Sequence, residues 1–259
     1  MKNTIAVSGK GGIGKTTLTA LMAKAFLARN AQSLLIIDGD PSINLTLMLG
    51  KGSERALSKF HNELSVSGEA RQELMYGDKH VREVIYEKCM QQGEGFNLLT
   101  MGRPEGPGCF CGVNELLKYG IDSVATEFDV VLIDCEAGPE QVSRRVTRSI
   151  DELILVIEPT VRSVQTALYI REVAEKVGVR NPFHLSVVLN KERTCAQLEP
   201  AQAILSREGI GISGIVPFDD AIAEYDAVGK SIFQLPEESA SVKAVERIVG
   251  TLFPQARVS

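Results

Sequence analysis

Two short stretches hold residue types that could do chemistry. GKGGIGKTT, residues 9 to 17, sets four glycines around two lysines and closes on two threonines. GPGCFCG, residues 106 to 112, fences two cysteines with glycine and proline. The first stretch fits G-x-x-x-x-G-K-[ST], the spacing of a loop that wraps phosphate. Gly9, Gly11, Gly12 and Gly14, with Ile13 among them, let the backbone turn tightly and aim N–H groups inward. Lys15 reaches the β- and γ-phosphates of a nucleotide. The Thr16 hydroxyl suits Mg²⁺, and Thr17 supports the α-phosphate. The second stretch offers sulfur. On a helix, residues i and i+2 diverge, whereas in extended chain they project to one side. Gly106-Pro107-Gly108 excludes helix, so Cys109 and Cys111 can face one object. VNELLKYGI then predicts a helix starting at Gly112 or Asn114, and a helix N-terminus favours the metal-binding thiolate.

These residues need a scaffold. TIAVSG (4–9), SLLIID (33–38), FNLLTM (96–101), FDVVLID (128–134), ELILVIE (152–158), HLSVVLN (184–190) and ISGIV (212–216) read as strands. Several are continuously apolar, as strands buried on both faces of a parallel sheet are. Amphipathic segments follow the phosphate loop and cover 163–177, 197–208, 219–228 and 239–252. Strands alternating with helices predict an α/β fold: a doubly wound, mainly parallel sheet with helices on both faces. We read residues 1–259 as a single domain. Within it, 51–95 form a polar, partly helical excursion.

Ligands of such sheets sit at the carboxyl ends of the strands. Asp38 and Asp40 follow one strand end and, in extended chain, point the same way. Asp134 ends the apolar run FDVVLID, placed to hold Mg²⁺ through water. Glu136, Ala137 and Gly138 follow as a switch that senses the γ-phosphate. Asn190 has donors and an acceptor that match the edge of adenine, and the backbone near Pro217 completes a base pocket. Two thiolates alone rarely close a metal site, because a tetrahedral ion takes four ligands. A two-fold dimer presenting Cys109 and Cys111 from each subunit supplies four sulfurs, a set suited to zinc, copper(I), iron–sulfur or nickel.

Lys10, directly after the first glycine, makes the loop resemble the "deviant" Walker A class of septum-site and partition ATPases and the nitrogenase iron protein. The resemblance implies that Lys10 reaches the partner's phosphates in an ATP-bound homodimer. It also implies that Asp38 lies near Mg²⁺ and that Asp40 orients the attacking water. KGGIGKTT, DGDPSINL, MGRPEGPGCFCGVNELL, LIDCEAGPEQ, VIEPTVRSVQTA, VLNK and IVPFDDAI occur in this order. Together they are similar to the CooC-type nickel-insertion ATPases, accessory proteins of carbon monoxide dehydrogenase, with relatives serving acetyl-CoA synthase. That resemblance implies a metal at the C-x-C pair, nickel or zinc, and delivery to a client nickel enzyme. Ser42 departs from the family's frequent acidic residue, Gln141 from its histidine, and Cys135 sits where members vary. Cys135 reads as a core thiol or an added ligand.

The remaining composition narrows the classes. A net charge of −5 gives no global pull toward nucleic acid or anionic lipid. No apolar run is long enough to span a membrane, and the N-terminus lacks a secretory apolar core. Five cysteines at irregular spacing then read as reduced thiols of a cytoplasmic chain. Two other readings stay open. One is an iron–sulfur reductase using Cys109 with Cys135. The other is a ParA/MinD-like positioning ATPase using its C-terminal helix, where Val242, Val245, Ile248, Val249 and Leu252 form a stripe that suits packing against the sheet. His61, His80 and His184 have no paired ligand spacing, and Arg144 and Arg145 read as a solvated helix face.

Overall fold

The strands are β1 (Asn3–Gly9), β2 (Leu34–Asp38), β3 (Met90–Gln92), β4 (Phe96–Thr100), β5 (Val130–Asp134), β6 (Glu152–Ile157), β7 (His184–Glu192) and β8 (Ile212–Pro217). They join in one sheet, in the order β3-β4-β2-β5-β1-β6-β7-β8. Every neighbouring pair is parallel except β3 and β4. The computed structural model describes residues 3–29, 33–66, 81–103, 111–139, 150–177, 183–192 and 199–254. Helices connect the strands: α1 (Lys15–Ala28), α2 (Asn44–Met48), α3 (Leu57–Val66), α4 (Val81–Lys88), α5 (Cys111–Val124), α6 (Val161–Val177), α7 (Glu199–Arg207), α8 (Asp220–Ala227) and α9 (Ala240–Leu252).

The continuously apolar strands serve two cores at once. Ile5, Val7, Leu34, Ile36, Leu132 and Ile154 pack on one face with residues of α1 and α9. Their neighbours Ala6, Leu35, Ile37, Ile133 and Leu153 pack on the other with α3 to α7. Side chains alternate along a strand, so a sheet covered on both faces needs apolar residues at every position.

Three local features differ from the sequence expectation. The 51–95 excursion contributes α3, α4 and β3, and β3 extends the sheet by pairing antiparallel with β4. Met-Gln-Gln has no apolar alternation, which hides so short a strand. Its place is secured by side chains: Arg55 donates to the Met90 carbonyl at 2.8 Å and Lys51 to that of Gln92 at 2.9 Å. The five-residue α2 also escapes pattern reading. Finally, α6 begins at Val161 rather than 163.

In the C-terminal helix, Val242, Val245, Ile248 and Val249 are buried, and Leu252 packs against the same core. The chain itself therefore covers the stripe a membrane surface would need. Among the described residues, no helix is long and apolar enough to cross a membrane.

Candidate active site

The loop 9–14 joins β1 to α1 at the carboxyl edge of the sheet, and β1 lies between β5 and β6. Gly14 caps α1 with φ 88°, in the left-handed region. A Cβ there would lie 2.4 Å from Asn190 Nδ2, so both dihedral and space demand glycine. Ile13 is 1% exposed and anchors the loop in the core. Lys15 is buried, its Nζ donating to the Lys10 carbonyl at 3.4 Å, while Lys10 is exposed. Two residues of β7 hold the loop from outside. Asn190 Nδ2 donates to the Ile13 carbonyl at 2.7 Å, and Lys191 Nζ to the Gly12 carbonyl at 2.6 Å. Glu158 Oε1 lies 3.8 Å from the same ammonium.

Asp134 ends β5 and is in register with Asp38 of β2 and Val7 of β1. Its Oδ2 accepts from the Thr16 hydroxyl at 2.7 Å, and its Oδ1 from that of Thr19 at 3.4 Å. Burial pushes the Asp134 carboxyl up to about 7; the Thr16 hydroxyl and Lys15 pull down, and the nearby Asp38 pushes up. A hydroxyl beside a buried carboxylate is a hard oxygen donor pair, and it fits Mg²⁺. A dication there would favour the ionised carboxylate.

Asp38 is fully buried and stands one step back. Its Oδ2 accepts from the Thr46 amide (2.8 Å) and hydroxyl (2.7 Å), and its Oδ1 from the Asp40 amide (3.3 Å). Burial raises its carboxyl to about 6 against these hydrogen bonds. The Thr46 hydroxyl also meets that of Thr100, at the end of β4, at 2.9 Å. Asp38 thus anchors the turn that carries Asp40. The extended geometry expected for the pair is corrected here: the chain leaves the strand after Asp38. Asp40 is half-buried, and its Oδ1 accepts from the Ser42 amide at 2.9 Å and hydroxyl at 2.5 Å. Ile43, a β-branched residue at φ 54°, closes this turn against local preference.

The switch segment is tied to the loop. The Gly138 amide donates to the Gly9 carbonyl at 3.0 Å, and the Ser8 hydroxyl to the Gly138 carbonyl at 3.3 Å. Glu136 is half-buried and Ala137 exposed. Pro217 closes β8 opposite Glu192, next to the strand that carries Asn190. Thr17 is half-buried in the first turn of α1. Gln141, Arg144 and Arg145 lie outside the described residues.

Cys109 also lies outside the described residues. Cys111 is the first residue of α5, so this helix begins one residue earlier than the first of the two expected starts. Cys135 is 1% exposed within the core. Burial and then the Asp134 charge push its thiol up to about 12. It packs in the core as a buried thiol. Among the described residues, no three His, Cys, Asp or Glu side chains gather as a metal site. His61 is half-buried, His184 exposed, and His80 outside the described residues.

Sequence reasoning missed Thr46, Thr100, Glu158 and Lys191. Lys191 directly follows Asn190, and that adjacency was the only available signal.

Comparisons with known proteins place the chain's family and fold. Residues 2–182 match the family model described as an AAA domain. An uncharacterized ATP-binding protein of Methanocaldococcus jannaschii is 38% identical over 248 residues, 94% of this chain and 96% of that one. The carbon monoxide dehydrogenase accessory protein CooC of Rhodospirillum rubrum is 30% identical over 243 residues, 89% of each chain. Among solved structures, the septum site-determining protein MinD of Pyrococcus horikoshii, complexed with Mg-ADP, superposes with a TM-score of 0.69. It is 23% identical, with 99% of this chain and 98% of that one covered, and that likeness speaks for the fold.

Proposed function

Because this chain belongs to the AAA-domain family and has a P-loop ATPase fold, we propose that it is an ATP-hydrolysing metallochaperone. It works as a nucleotide-dependent homodimer that binds a metal ion through Cys109 and Cys111 of each subunit. Its cargo is nickel, delivered to a carbon monoxide dehydrogenase-type enzyme. The 30% identity to CooC supports this reading, which comes to this chain as our proposal.

One structural observation carries it. The segment holding the cysteine pair leaves the sheet from β4, whose last residue, Thr100, is hydrogen-bonded into the Asp38–Thr46 anchor. The Met101 amide donates to the Asp38 carbonyl at 2.8 Å. The chain then returns as α5 at Cys111. Any shift of the Asp40 turn on nucleotide binding would thereby be passed to the β4 end of the thiol segment. A thiol on the first turn of a helix is favoured as thiolate.

In turnover, the loop amides and Lys15 hold the β- and γ-phosphates, and Asn190 and Pro217 hold the base. Asp40 orients the attacking water, and Lys10 of the second subunit neutralises charge across the dimer. Thr16 and Asp134 would hold Mg²⁺, which supplies charge neutralisation at the phosphates. Glu136, Ala137 and Gly138 report the γ-phosphate through the Gly138–Gly9 tie.

The test is metal titration of the wild type and of C109S/C111S, with and without ATP, alongside mass measurement in solution. One ion per dimer in the wild type and none in the variant is expected. Equal uptake by both proteins, or uptake by a single chain, overturns the proposal.

A further inference from the structure

We propose that Lys191 and Asn190 are positioning residues that set the aim of the phosphate loop. This rests on the reading that ATP lies in that loop. A trans peptide unit is planar, so its C=O and N–H point in opposite directions. The Gly12 carbonyl shares its unit with the Ile13 amide, and the Ile13 carbonyl shares its unit with the Gly14 amide. Lys191 holds the first carbonyl and Asn190 the second. Each grip turns the matching N–H away from β7, toward the side where phosphate sits. Among the described residues, the Gly14 N–H has no backbone acceptor outside the regular elements, and it is open to an anion. The Lys191 bond is charge-assisted, the stronger kind, and Glu158 Oε1 lies 3.8 Å from the same ammonium.

The backbone is bent to make this possible. Consecutive side chains of a regular strand point to opposite faces, so Asn190 and Lys191 could not both reach the loop. Here the β7–β8 pairing is irregular between Leu189 and Glu192. Lys191 itself adopts φ 57°, in the left-handed region that non-glycine residues avoid. That distortion brings two adjacent side chains onto two adjacent carbonyls. Asn190 keeps its carbonyl and a second N–H for the base. One side chain therefore reads adenine and shapes the phosphate cradle.

The experiment compares ADP and AMP binding by calorimetry in the wild type, K191M, K191Q and K191R, with thermal melts without nucleotide. Loss of the grip should weaken ADP about tenfold in K191M and K191Q. AMP, which lacks the β-phosphate, should stay within about twofold, and K191R should recover most of the ADP affinity. Unchanged ADP binding in K191M and K191Q overturns the proposal. So does equal weakening of AMP and ADP, which marks a general structural role. A wild type that binds neither nucleotide refutes the ATP reading itself, and this inference with it.

Discussion

The buried carboxylate at the end of β5 makes stability depend on pH in a direction opposite to ordinary acid denaturation. Asp134 is raised from 3.8 to about 7, chiefly by burial. A group whose folded pKa exceeds its unfolded value contributes stability that is full below about pH 4 and is lost as pH rises through about 7. One pKa unit is about 1.4 kcal/mol. Between pH 5 and pH 8 the loss is then about 3 kcal/mol. D134N keeps the shape of the side chain but cannot ionise. The assay is thermal melting of both proteins without nucleotide across this range, with the difference taken at each pH so that carboxylates not coupled to Asp134 cancel. The wild type should lose about 6 °C relative to D134N between pH 5 and pH 8, at about 2 °C per kcal/mol for a chain of this size. Mg-ADP should flatten the difference, because a dication beside the carboxylate favours its ionised form. Parallel melting curves for the two proteins would refute the argument from burial.

Two further outcomes follow from the same geometry. G14A places a Cβ against Asn190 in a left-handed backbone, so it should cost at least about 1 kcal/mol in melting stability and abolish ATP binding by calorimetry. Cys89 and Cys135 are buried, and their thiols are raised to about 12. In the native protein both should react with iodoacetamide at least about a thousandfold more slowly than a free thiol; peptide mass mapping before and after urea checks this, and native labelling of Cys135 would contradict its place in the core.

Much was legible in the chain alone, and for a physical reason. The phosphate loop is contiguous: its glycines, Lys15 and Thr16 lie within a few residues, and backbone sterics with helix polarity dictate what so dense a run can do. The seven longer strands were equally readable, most of them because burial on both faces leaves an unbroken apolar signature, whereas the half-buried β8 was legible from its short apolar run alone. β3 and α2 were not, since elements of three and five residues are too short for periodicity and are held by distant partners such as Arg55.

The site divides along the same line. Sequence alone could name Asp38, Asp40, Asp134 and Asn190 as polar residues at strand ends. It could not say that Asp38 spends its oxygens on Thr46 and the Asp40 amide, that Asp134 shares Thr16, or that Cys135 is sealed in the core. Nor could it show that a bent β7 puts Asn190 and Lys191 together on a loop more than 170 positions away. Residue type and near spacing determine which groups can meet phosphate or metal. Which of them are buried, paired or tethered depends on contacts between elements far apart in the chain, and those exist only once the sheet has closed.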